Sequence, residues 1–276
     1  MKTILANFDN LEDIQIEALQ GLIADLPSCT GIEILKNSIA AYFEAEHFPK
    51  ADLDEICNML NISYQTSEME DKNWNEVWES NFAPIEVGNF CYIKANFHPT
   101  PAKKYTHLLE ITPKMSFGTG HHATTRQVME AMQNIDFINK AVFDFGTGTG
   151  ILAILAEKMG ATKIIASDND SWSIENSLEN VSNNHCKHIV VTGDDVTLIA
   201  HPQTFDIILA NINRHILLEY IQILSRSLKP DGQLILSGIL REDINIIEKE
   251  LNKWNLKVIR NTNLNNWVCL LAEHAF

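Results

Sequence analysis

The chain has 276 residues, 45% of them hydrophobic, which suffices for two modest domains with packed cores. Its formal net charge of −15 at pH 7, with no lysine- or arginine-rich stretch, argues against gripping a nucleic-acid backbone and favours a basic partner. No apolar run reaches the roughly 18 residues of a membrane span, and the five scattered cysteines show no metal-type pairing, so a cytoplasmic protein with reduced thiols is expected.

Residues 1–69 carry a pattern of their own. Thr3 to Phe8 alternates as a strand does, and Leu11, Ile14, Ala18, Leu19, Leu22 and Leu26 recur along one face of a helix. Gly31 to Leu35 and Ile39 to Glu44 read as strands joined by a Lys-Asn-Ser turn. Leu53, Ile56, Cys57 and Leu60 mark a second helix, and Ile62 to Thr66 a last strand. The order strand-helix-strand-strand-helix-strand predicts a ferredoxin-like α+β module. It holds no glycine-rich loop and no candidate nucleophile, which leaves binding, or a purely structural cap, as its use. Residues 70–105 read as a connector: a polar helix over 70–81 with Trp74 and Trp78 on one side, a hairpin from Phe82 to Lys94, and an irregular segment punctuated by Pro99 and Pro101.

From 106 to 276 the rhythm is α/β, with strands predicted at about 141–145, 163–168, 188–192 and 205–210 between helical patterns. Gln233 to Ser237, a helix over 241–253, and the segments Leu256 to Asn261 and Trp267 to Ala272 complete it. The last two have no helix between them and can pair antiparallel.

The chemistry concentrates in three places. Ala141 to Phe145 has the length and bulk of a buried strand, carries Asp144 near its end, and runs into Gly146, Gly148 and Gly150 alternating with threonines. A helix pattern follows, and strand, glycine turn and helix start together make a nucleotide-binding crossover. The nicotinamide fingerprint needs glycine at the sixth position, where Ile151 stands, and a phosphate loop needs a lysine that is absent. Asp168, at the end of the next strand, can accept both ribose hydroxyls of a nucleoside. Ser171 can cap the following helix, with Asp170 in the turn before it. Asp194 or Asp195 can either reach an adenine or form a solvated acidic turn. Upstream, Phe117, Gly118, Thr119 and Gly120 form a tight loop that ends in a helix capped by Thr124 or Thr125, a source of amide donors for a carboxylate. Asn211 closes the fourth strand, where its carbonyl can take a hydrogen bond from an attacking amine or merely end a turn.

The acid followed by Gly-x-Gly-x-Gly resembles the first motif of S-adenosylmethionine-dependent methyltransferases. With the Phe117–Thr125 loop, the Ala210–Ile212 segment and the tryptophan-rich stretch from Trp74 to Phe82, nearly the whole chain resembles the bacterial ribosomal protein L-eleven methyltransferase family, the PrmA type. The resemblance implies a Rossmann-like, seven-stranded methyltransferase domain behind the small ferredoxin-like one, with S-adenosylmethionine as cofactor. It implies methylation of lysine ε-amino or N-terminal α-amino groups of a large-subunit ribosomal protein, free or ribosome-bound, captured by residues 1–69; a monomer is expected. Contact with nucleic acid or membrane is not expected. The family's cofactor contacts fall on Thr125, Gly146, Asp168 and Asn211. Phe117, Gly118, Thr119 and Gly148 belong to the same expected pocket, and Asn211 is also the catalytic candidate that orients the amine. Ala123 stands where the family has proline, and Asn213-Arg214 replace small apolar residues. The alternatives are a methyltransferase for another protein or for RNA, and a non-catalytic assembly factor that binds the same cofactor.

Overall fold

The computed structural model describes residues 3–24, 26, 28–35, 37–69, 83–112, 114, 116–193 and 202–275. The chain divides into two compact units, Met1–Phe82 and Ala83–Phe276. The predicted helix over 70–81 with Trp74 and Trp78, and the acids Asp194 and Asp195, lie outside the described residues.

The first unit runs β1 (Thr3–Phe8), α1 (Asp13–Ala24), β2 (Cys29–Leu35), β3 (Ser38–Glu44), α2 (Lys50–Leu60) and β4 (Gln65–Met69). Its sheet has the order β2-β3-β1-β4 with every neighbour antiparallel, the ferredoxin-like arrangement that the element order predicted. Phe8, Leu19, Ile23, Ile39, Phe43 and Leu53 form the heart of its core. Two expectations are corrected. Ile14 is 74% exposed, because at 100° per residue it sits roughly 140° around the helix from Leu19. The last strand begins at Gln65 rather than Ile62. Asn61 ends α2 in the left-handed region (φ 52°) and Ile62 N–H donates back to Cys57 O at 3.0 Å, so Ile62 and Tyr64 plug the core instead of joining the ladder.

The second unit opens with β5 (Ile85–Val87), β6 (Cys91–Lys94) and β7 (His107–Glu110), a small three-stranded sheet. Residues 85–105, read from sequence as connector, therefore contribute to this unit, since Val87, Phe90, Cys91 and Ile93 are buried in its core. Then follow α3 (Ala123–Met132), β8 (Ala141–Phe145), α4 (Ile151–Lys158), β9 (Lys163–Ser167), α5 (Ser171–Asn183) and β10 (Ile189–Thr192). The unit continues through β11 (Phe205–Asn211), α6 (Arg214–Ser227), β12 (Leu228–Leu240), α7 (Ile244–Lys253), β13 (Leu256–Leu264) and β14 (Trp267–His274).

Seven strands share one sheet, ordered β10-β9-β8-β11-β12-β14-β13. The first five are parallel, and β14 inserts antiparallel between β12 and β13. On β8, Val142 packs in one core layer while Phe143 and Phe145 pack in the other. Ile207 and Leu209 against Ile208 and Ala210 do the same on β11. Burial on both faces is why these strands read as unbroken apolar runs. The strand order reverses between β8 and β11, and that reversal opens a crevice at their carboxyl ends.

Candidate functional site

The glycine turn after β8 is held from two sides. Gly146 and Thr147 N–H both donate to Ser167 O at 2.9 Å, which ties the turn to the end of β9. Thr149 N–H donates to Phe117 O at 2.9 Å and its hydroxyl to Gly118 O at 2.6 Å, which ties it to the upstream loop. Gly148 has φ 56°, and a Cβ there would lie 2.3 Å from Phe117 O; one on Gly146 would lie 2.7 Å from Ile212 Cδ1. The loop and Ile212 thus occupy the space that side chains would need.

Asp144 lies beneath this turn, 1% exposed. Its Oδ2 accepts from the Thr147 hydroxyl at 2.5 Å and from Ala153 N–H at 3.2 Å, while Oδ1 has no partner among the described residues. Burial pushes its carboxyl up to about 7; the two hydrogen bonds pull the other way, and the neighbouring Asp168 charge adds to the rise. Asp144 braces the turn from inside.

Asp168 faces the crevice. Its Oδ2 accepts from Gly148 N–H at 2.8 Å and its Oδ1 from Asp170 N–H at 3.0 Å. A carboxylate offers about four lone-pair directions, so it can still accept from a pair of hydroxyls. The cap of α5 is Asp170 and not Ser171: its Oδ2 accepts from Ser173 N–H at 2.9 Å.

Helix α3 builds the opposite wall. Its N-cap is His122 rather than Thr124 or Thr125, with Thr124 N–H donating to His122 Nδ1 at 3.3 Å. The imidazole stands edge-on between Phe117 (5.3 Å between centroids) and Trp267 (5.0 Å). Thr125 is fully buried, and its hydroxyl oxygen accepts from Asn211 Nδ2 at 3.3 Å. That bond leaves Asn211 Oδ1 buried and, among the described residues, without a partner. Two residues further on, buried Gln127 donates to Trp267 O at 3.1 Å and accepts from the Thr262 hydroxyl at 3.4 Å.

Between these walls lies a cavity of about 550 Å³, within the size range of small-molecule sites. Of the residues singled out from sequence, Phe117, Gly146, Gly148, Asp168 and Asn211 line it. Thr125 stands behind Asn211 instead of on the surface of the cavity. Gly118 and Thr119 do not line it either: Gly118 O is taken by Thr149, and the Thr119 hydroxyl lies 3.2 Å from His121 Nδ1. Sequence reasoning missed His122, Ile212, Glu219, Tyr220 and Trp267, all on the lining. His122 lay inside a motif already flagged, whereas Trp267 had no local signal. The donor set fits a nucleoside sulfonium. The turn admits close approach, Asp168 can take a ribose diol, Asn211 presents a free acceptor, and no lysine or arginine among the described residues lines the cavity to oppose a cation.

The family described as ribosomal protein L11 methyltransferase (PrmA) matches residues 10–275. The chain belongs to this family. A ribosomal protein L11 methyltransferase from Phocaeicola vulgatus is 36% identical over 264 residues, covering 92% of this chain and 93% of that protein. One from Porphyromonas gingivalis is 42% identical, covering 75% of this chain and 71% of that protein. The crystal structure of ribosomal protein L11 methylase from Lactobacillus delbrueckii subsp. bulgaricus superposes with a TM-score of 0.63 at 28% identity, over 71% of this chain and 100% of that one. The PrmA-family chain is thus an S-adenosylmethionine-dependent methyltransferase, and its seven-stranded sheet is the one the glycine motif implied.

Proposed function

We propose that this protein transfers methyl groups from S-adenosylmethionine to lysine ε-amino or N-terminal α-amino groups of ribosomal protein L11, in the cavity between the glycine turn and α3. The observation that carries this reading is Asn211 Oδ1, a buried acceptor without a partner among the described residues, on the same cavity as Asp168 and the turn. The names of the relatives and the net charge of −15, suited to a basic partner, support the acceptor.

The cofactor supplies an electrophilic methyl on a cationic sulfur. This chain's residues supply orientation. Gly146 and Gly148 let the nucleoside lie against backbone, Asp168 accepts its ribose hydroxyls, and Asn211 Oδ1 accepts an N–H of the incoming amine so that its lone pair points inward. Such positioning is worth several kcal/mol of barrier. A lysine amine must first lose its proton, at roughly 4 kcal/mol near pH 7.4, whereas an α-amino group costs well under about 1 kcal/mol. The apolar lining of Phe145, Ile212, Tyr220 and Trp267 disfavours the ammonium form and reduces the lysine cost.

Residues 1–69 serve to capture the acceptor, free or on the ribosome, and the enzyme works as a cytoplasmic monomer without nucleic-acid or membrane contact. Among the described residues no helix is long and apolar enough to cross a membrane. Mass spectrometry of L11 from cells with and without this gene tests the acceptor, with loss of methyl mass expected on deletion; unchanged L11 masses would sink it. Asn211→Ala is expected to lower kcat roughly a hundredfold while calorimetry shows cofactor affinity altered far less. Weakened cofactor affinity with kcat retained would instead make Asn211 a cofactor ligand alone.

A further inference from the structure

Two carboxylates line the cavity, and they differ in what they already hold. Asp168 takes amide bonds from Gly148 and Asp170. Glu219, on α6, is exposed and has no hydrogen-bond or ion-pair partner among the described residues. Some helical acids of this chain sit one turn from a lysine or arginine, as in the pairs Lys50–Asp54 and Arg126–Glu130, whereas Glu55, Glu175 and Glu219 do not. The residues one turn from Glu219 are His215, Ile216, Gln222 and Ile223, none of them lysine or arginine.

The placement of α6 fixes where this acid points. Leu217, Ile221 and Leu224 pack into the core, and the Tyr220 ring lies 5.0 Å from Phe145, against the end of β8. His215 and Glu219, four residues apart, share a side of the helix, and both reach the cavity lining. With no lysine or arginine on that lining among the described residues, an uncommitted carboxylate there is complementary to a cation and to nothing else nearby.

We infer that Glu219 is the cavity's ammonium-binding residue, a specificity determinant that receives a primary ammonium by a charge-assisted hydrogen bond. The inference rests on the methyltransferase reading above. Two sources carry this chemistry: the acceptor lysine before it loses its proton, and the amino-acid end of S-adenosylmethionine. Glu219→Gln, which keeps shape and removes charge, and Glu219→Asp, which keeps charge on a shorter stem, are measured in the full chain against wild type.

If the acceptor is the source, Glu219→Gln raises its KM roughly two- to fivefold, the scale of an exposed ion pair, with kcat retained or raised, since the removed carboxylate favoured the ammonium form that must lose its proton. The effect shrinks as salt rises, and Glu219→Asp recovers part of it. If the cofactor is the source, the same increase appears instead in the calorimetric Kd for S-adenosylmethionine. Unchanged KM and unchanged Kd overturn the inference, as does a fall in kcat alone. A wild-type protein that binds no S-adenosylmethionine would fail the reading beneath it, and that result is distinct from any effect of the Glu219 variants.

Discussion

Asp144 shows what one buried carboxyl does to the molecule around it. In the folded chain its carboxyl titrates at about 7, against an ordinary value of 3.8, with burial as the main cause. Between those two values the folded chain holds a proton that the unfolded chain has released, so this group's contribution to stability falls as pH rises through the window. Asp144→Asn removes the titration. The difference in Tm between wild type and variant is therefore expected to shift in the variant's favour by a few degrees from pH 5 to pH 8. Thermal melts at the two pH values check this, and a constant difference would show that Asp144 does not titrate with folding. At this scale the sequence was informative wherever backbone geometry demanded a residue type. Gly146 and Gly148 sit in one short contiguous motif, Asp168 follows the next strand at the distance the crossover sets, and each lines the cavity. Thr125 was legible as a position but not as a role, because its partner Asn211 lies 86 residues away.

Helix α3 is the element on which the site depends. It caps itself with His122, holds Asn211 through Thr125 and holds the backbone of Trp267 through Gln127. Gln127→Leu keeps the volume and deletes two side-chain bonds made in a buried setting. It is expected to lower Tm by a few degrees and to weaken S-adenosylmethionine binding several-fold, because the Trp267 wall loosens. Scanning calorimetry and titration calorimetry together decide the matter; a lower Tm with unaltered affinity would reduce Gln127 to a stabilising role. Local periodicity found nearly every described helix and strand, since an apolar face repeats within a few residues. It misjudged β4, where the left-handed Asn61 spends Ile62 and Tyr64 on closing the core before the ladder begins. It also could not see the Gln127–Trp267 tie, which joins residues 140 positions apart.

At the scale of the whole molecule, every described residue that lines the cavity belongs to the second unit, which has its own packed core layers. The fragment 83–276 is accordingly expected to fold and to bind S-adenosylmethionine with near wild-type affinity, yet to leave L11 unmethylated. Calorimetry and a methylation assay on the fragment test the division of labour, and normal L11 methylation by it would show that the first unit does not capture the acceptor. The insertion of β14 between β12 and β13 has a further consequence, one that concerns synthesis. Contacts of high sequence separation wait until both partners exist, so the sheet stays open at an interior slot until residue 274 has emerged from the ribosome. A nascent chain stopped short of Trp267 has an unfilled strand groove and lacks a wall of its ligand chamber. Such a fragment is aggregation-prone and exposed to proteases, not a partly working catalyst.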